Sequence, residues 1–423
     1  MLNVPVERHR LSNGLRVTLS RDPSTPVVGV NLWYAVGSRN ERPGRTGFAH
    51  LFEHMMFQGS ANVPKNRHFD LVEQAGGSLN ASTWFDRTNY YDTVPSHHLE
   101  LALWLEADRM GWMLPAMTQE KLENQQEVVK NEKKERYDNQ PYGDWDERIQ
   151  ALVFPHDHPY HHPVIGSMED IGSATLEDVA DFFSTFYVPN NAVLTLAGDF
   201  DADSAMGLVE RYFGEIPAGA PIPPLPGRVD ISPVIGETAR EVVVDDVPLP
   251  RVYMGLRVPP VTSDRFHAGD VAATVLGSGK ASRLYRSLVR EKRVAKDVLA
   301  YLFPLQTSAS LLLFWVTGYP EADPEDLERA LLDEIDGLSS VEQKELDRAV
   351  ALTETHILRN IQQTGSRADL LSMFDQTFDD PARLNSEVDR VRAVTRSQVQ
   401  DFGAEFLGPD NRAFLTYIPG ESP

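Results

Sequence analysis

The chain has 423 residues, too many for one compact core, and its 41% hydrophobic and 24% charged content is that of a globular protein of two to four domains. A formal net charge of −22 argues against a polyanionic partner, whether nucleic acid or anionic membrane, and the absence of cysteine excludes disulfides. No basic segment followed by an apolar run opens the chain, and Leu311 to Val316, the longest apolar run, is far too short to span a bilayer. The expectation is a soluble cytoplasmic protein, or a periplasmic one if the N-terminus was trimmed.

Residues 8–35 read as strands: a turn at Leu11-Ser12-Asn13-Gly14-Leu15 separates short runs, and Val27 to Ala35 is β-branched and aromatic-rich. After a Gly/Arg/Pro-rich loop, Phe48, Leu51, Phe52, Met55 and Met56 recur at three- and four-residue spacing, which predicts a helix. His50 and His54 then lie one turn apart on one face, with Glu53 beside them. Two imidazoles on one face can hold a divalent ion, and a neighbouring carboxylate outside the ligand set can take a proton from a water that the ion activates. The plainer reading is two buried histidines satisfied by hydrogen bonds, but three ionisable groups in so apolar a run are costly to bury uncompensated.

Further on, His68 to Ala75 continues as helix, Gly76-Gly77 breaks it, and Ser78 to Val94 alternates like a hairpin. His98 to Met113 and Gln119 to Tyr137 are long, charge-rich helical segments. His156, His158, His161 and His162 crowd a proline-interrupted loop whose composition alone could suit a metal. Pro217, Pro221, Pro223, Pro224, Pro226 and Pro233 mark an extended linker, dividing the chain into 1–216, 217–233 and 234–423. Thr175 to Phe182, followed by Phe186, Pro189 and Asn191, recurs as Thr395 to Phe402, Phe406, Pro409 and Asn411, every pair offset by 220. The expected fold is α+β: two similar halves, each a mainly antiparallel sheet flanked by helices.

The order His50-x-x-Glu53-His54 is the inverzincin signature. With Gly47-Phe48-Ala49 before it, Phe57-Gln58-Gly59-Ser60 after it and Gly76-Gly77-Ser78-Leu79-Asn80-Ala81-Ser82-Thr83 beyond, the chain resembles the pitrilysin/insulinase family of zinc peptidases, which includes the processing peptidases. The likeness is greatest to the motif-bearing, β-type subunit of processing-peptidase-like bacterial heterodimers.

The resemblance implies one zinc ion per chain on His50, His54 and a glutamate some 70 to 80 residues on, among Glu120, Glu123, Glu127, Glu132 and Glu135. With Leu122, Val128 and Val129 as the buried face of that helix, Glu132 is the choice. Glu53 is then the proton acceptor. Asn80, Ala81 and Ser82 fall on the strand that pairs with extended substrate, although an ordinary edge strand would read the same. The family's acidic residue seven positions before the ligand glutamate is replaced by Gln125. The motif is missing after Val252, where the second half reads Asp270-Val271-Ala272-Ala273-Thr274. Single-chain members carry an arginine and a tyrosine seven residues later in that half; here Val289 and Lys296 stand there, and Arg293 and Tyr301 miss the spacing by one. The expectation is a zinc endopeptidase cleaving extended peptides in a chamber, paired with a homologous subunit that supplies the Arg/Tyr pair. A homodimer is the alternative assembly, and a motif-bearing scaffold subunit the alternative function.

Overall fold

Eleven strands fall into two sheets in a computed structural model that describes residues 2–420. The first contains β1 (Glu7–Arg10), β2 (Arg16–Arg21), β3 (Val27–Tyr34), β4 (Ser78–Thr83), β5 (Thr88–Pro95) and β6 (Ala192–Gly198), in the order β1-β2-β6-β3-β5-β4. The second contains β7 (Glu237–Asp245), β8 (Arg251–Val258), β9 (Ala295–Phe303), β10 (Ser310–Gly318) and β11 (Asn411–Pro419), in the order β7-β11-β8-β10-β9. Among the described residues only β2 with β6 and β7 with β11 pair in parallel. Leaving β1 aside, the two sheets share one topology, which is the duplication the 220-residue offset implied.

The repeat extends to particular hydrogen bonds. Thr175 and Thr395 each cap a helix, Leu176–Phe186 and Arg396–Phe406, and close a capping box with the residue three positions on. Asn191 Nδ2 donates to Phe186 O at 2.8 Å, and Asn411 Nδ2 to Phe406 O at 2.7 Å.

Two compact units contain these sheets, but their boundaries differ from a cut at the linker. One takes residues up to 132, 164–226 and 358–386; the other takes 133–163, 227–357 and 387 onward. The proline-rich stretch has neither helix nor strand, as expected, and the chain changes unit within it, between Pro226 and Gly227. The discrepancy arises from two helices: Thr364–Phe378 packs on β3 and β6 of the first sheet, and Trp145–Val153 packs on β8 and β11 of the second.

The attachment of Thr364–Phe378 is polar. Thr18, Thr195, Asn31, Tyr91 and Asn80 are successive cross-strand partners, so they form one row on one face of the first sheet. Thr18 donates to Asp375 at 3.0 Å, Ser372 to Thr195 at 2.8 Å and Asn31 to Asp369 at 3.4 Å. The opposite face carries α1 (Phe48–Met55), α2 (Arg67–Gln74) and α3 (Leu99–Trp112). Among the described residues no helix is long and apolar enough to cross a membrane.

Candidate metal centre

Glycine and a buried acid set the start of α1. Gly47 has φ 84°, and a Cβ there would lie 2.7 Å from Ile165 O, so the turn into the helix requires glycine. Glu41, 3% exposed, accepts from Gly47 N through one oxygen and from Ala49 N through the other, both at 2.8 Å. A carboxylate on the first free N–H groups of a helix satisfies them and opposes the helix dipole.

Phe48, Leu51, Phe52 and Met55 are buried, as their spacing required, and His50 and His54 leave the helix together with ring centroids 4.8 Å apart. α4 (Gln119–Lys133) brings Glu132 to them: its Oε2 lies 3.3 Å from His54 Nε2 and 3.8 Å from His50 Nε2. Nitrogen and oxygen ligands about 2.0–2.2 Å from a tetrahedral zinc ion sit roughly 3.4 Å apart, close to both distances from Glu132, and all three ligand atoms lie within 4.8 Å of one another. Their side chains are 13%, 23% and 17% exposed in the order His50, His54 and Glu132, which leaves access for water.

The face that selects Glu132 is only partly the one the sequence suggested, since Leu122 and Val129 lie on it and Val128 does not. Val128 is 39% exposed; the buried stripe of α4 is Leu122, Gln125, Gln126 and Val129, and Glu132 continues it one turn on. Gln126 is buried because its Nε2 donates to Ile171 O and Ala174 O, at 2.8 and 3.0 Å. Gln125 lies on the same stripe, with its Nε2 bonded to Asn124 Oδ1 at 2.9 Å.

Glu53 is half-buried on the turn between the two histidines, and the Thr83 hydroxyl donates to its Oε2 at 2.7 Å. Burial raises its carboxyl above the ordinary glutamate value, while the Thr83 bond, His54 and Arg87 pull the other way. In the sequence Thr83 is only the last residue of the Gly76–Thr83 motif; its role as the residue that orients Glu53 emerges from the β4–α1 packing.

β4 is an edge strand of the first sheet. Trp84 N donates to Arg87 O at the hairpin turn, so the ladder alternation puts the backbone groups of Ser78, Asn80 and Ser82 toward β5 and those of Leu79, Ala81 and Thr83 toward the open edge. Of Asn80, Ala81 and Ser82, then, only Ala81 presents its backbone outward, and its N–H is bonded to Asn80 Oδ1 at 2.9 Å.

A second group of ligand-type side chains, His68, Asp92 and Glu106, is fully buried. Arg109 already engages Glu106 there, and burial together with Glu106 pushes the Asp92 carboxyl well up. In the histidine-rich loop, His158 Nδ1 accepts from Tyr160 N at 3.1 Å and His161 Nδ1 pairs with Phe154 O at 2.9 Å.

A family model described as insulinase, peptidase family M16, matches residues 16–151, and one described as the M16 inactive domain matches 173–353. The zinc protease PqqE of Helicobacter pylori is 31% identical over 371 residues, covering 86% of this chain and 81% of that protein. The uncharacterized zinc protease YmxG of Bacillus subtilis is 23% identical over 99% of this chain and 100% of its own. The crystal structure of a protease from Helicobacter pylori superposes with a TM-score of 0.92 at 28% identity, over 98% of this chain and 100% of that one.

Proposed function

The chain belongs to the insulinase family of peptidases, and from that premise we propose that it is a zinc-dependent endopeptidase acting on extended or unfolded peptides. The convergence of His50, His54 and Glu132 beside a Glu53 carboxylate held by Thr83 carries the reading. The two imidazoles and Glu132 would hold one zinc ion, whose Lewis acidity polarises a peptide carbonyl and lowers the pKa of a water. Glu53 takes that water's proton as it attacks and returns it to the departing amine. The outward backbone of Leu79, Ala81 and Thr83 would hold the peptide extended at the edge of β4.

Val289 and Lys296 stand where single-chain relatives carry arginine and tyrosine, so the carbonyl lacks help in placement and charge stabilisation from this chain. That absence supports a heterodimer in which a homologous subunit supplies the pair, with a homodimer as the alternative. It also favours, as a second reading, a motif-bearing scaffold with little activity of its own.

Glu53→Gln tests the mechanism. The variant should keep one zinc ion per chain and lose nearly all hydrolysis, since a neutral amide cannot accept the proton. A zinc-loaded Glu53→Gln protein with full activity would remove the mechanism.

A further inference from the structure

A strand added to the open edge of β4 is the premise taken from the peptide-binding reading above. Its side chains alternate between the two faces of the sheet, in step with those of β4. Those level with Leu79, Ala81 and Thr83 point to the face of α1. Those level with Ser78, Asn80 and Ser82 point to the other face, where a cleft of 660 Å³ opens between β4, β5 and the start of the helix Thr364–Phe378.

Two side chains of opposite charge line this cleft. Arg87 donates through Nη1 to Ser82 O at 2.7 Å and Ser82 Oγ at 2.6 Å, with its guanidinium carbon 5.3 Å from the centre of the Trp33 ring. Asp369 accepts through Oδ1 from Asn89 at 2.8 Å and Asn31 at 3.4 Å. They are near enough to bias each other's charge, yet among the described residues they form no direct ion pair. The hydrogen bonds of these side chains run through Arg87 Nη1 and Asp369 Oδ1, and among the described residues none uses Arg87 Nη2 or Asp369 Oδ2, so a donor and an acceptor remain for a visitor.

Such a wall discriminates by charge. A lysine or arginine side chain gains Asp369 but meets Arg87, and a glutamate meets the reverse. A carboxamide satisfies both groups and brings no charge. We propose that this cleft is a side-chain subsite that selects glutamine or asparagine at alternate positions of the bound peptide, with Asp369 accepting from the amide nitrogen and Arg87 donating to the amide oxygen. The bidentate match supplies a specificity that the backbone pairing of the edge strand lacks.

The test separates this from the peptidase reading by measuring binding as well as cleavage. Fluorescent extended peptides differing at one residue (Gln, Lys or Glu), scanned along the sequence, are titrated into zinc-loaded Glu53→Gln protein. The expected result is a preference for Gln on the order of tenfold at alternate positions only. Adding Arg87→Met should move the preference to Lys, and adding Asp369→Asn should move it to Glu. Rankings are compared within each variant, so a general loss of affinity cancels; if Asp369→Asn does not fold, the Arg87→Met shift decides alone. The same ranking in all proteins, or no peptide binding at all, would overturn the subsite. Selective binding by a protein whose wild type cleaves nothing would uphold the subsite and sink the peptidase reading instead.

Discussion

Asp92 and Glu132 show how differently a buried carboxyl is used. Glu132 keeps its place by facing two imidazoles, so Glu132→Gln, like His50→Ala or His54→Ala, should weaken zinc binding by more than the 10- to 100-fold typical of an outer partner. Competition with a chelator measures it, and normal affinity in Glu132→Gln with loss in Glu127→Gln would reassign the ligand. Asp92 faces Glu106 inside the protein and is pushed well above 3.8 by burial. Below pH 3.8 folded and unfolded chains both carry its proton; above it the unfolded chain ionises first, so this residue's contribution declines as pH rises toward the folded value. The limiting slope is about 1.4 kcal/mol per pH unit. Asp92→Asn offers Glu106 a donor without that slope. Denaturation of both proteins in the same metal state, from pH 4 to 9, should show the variant gaining on the wild type as pH increases; a constant difference would refute the raised Asp92 carboxyl.

At the scale of elements, the capping boxes at Thr175 and Thr395 provide a matched pair of probes, one in each unit. Alanine at either should cost about 1 kcal/mol by losing a bond to an unpaired N–H. Urea unfolding followed by hydrogen exchange should place each loss in the unit that owns the helix. These elements were legible because local chemistry makes them: capping residues, the three- and four-residue spacing of α1, the glycine break before the hairpin. Buried polar faces were not. Val128 was expected in the core and is exposed, whereas Gln126, which no apolar pattern marks, is buried because two backbone carbonyls satisfy its amide. On the helix Thr364–Phe378 the polar attachment was equally hidden: Asp369, Ser372 and Asp375 make its hydrogen bonds to the first sheet, beside the buried Ala368 and Leu371. Period-finding detects hydrophobicity, and a satisfied amide or carboxylate carries none.

Across the whole molecule, one topology present twice places the His-x-x-Glu-His motif in one unit and leaves the other without it. The purified chain should therefore hydrolyse peptides poorly by itself, and activity should rise when a motif-less relative encoded beside it is added; full activity from this chain alone would dismiss the need for a partner. The order of synthesis adds a constraint of its own. When the proline-rich stretch leaves the ribosome, all six strands of the first sheet exist, but Thr18, Asn31 and Thr195 still wait for Asp375, Asp369 and Ser372. The motif-bearing unit must stay unfinished, its polar row wet, while most of the other unit is translated. A gene cut after Pro233 should accordingly yield insoluble protein, and one in which residues 358–386 follow the linker directly should restore solubility. Nascent chains stalled at the two lengths would show the same step as a change in protease resistance: the first half of the gene cannot mature before the last quarter has been read.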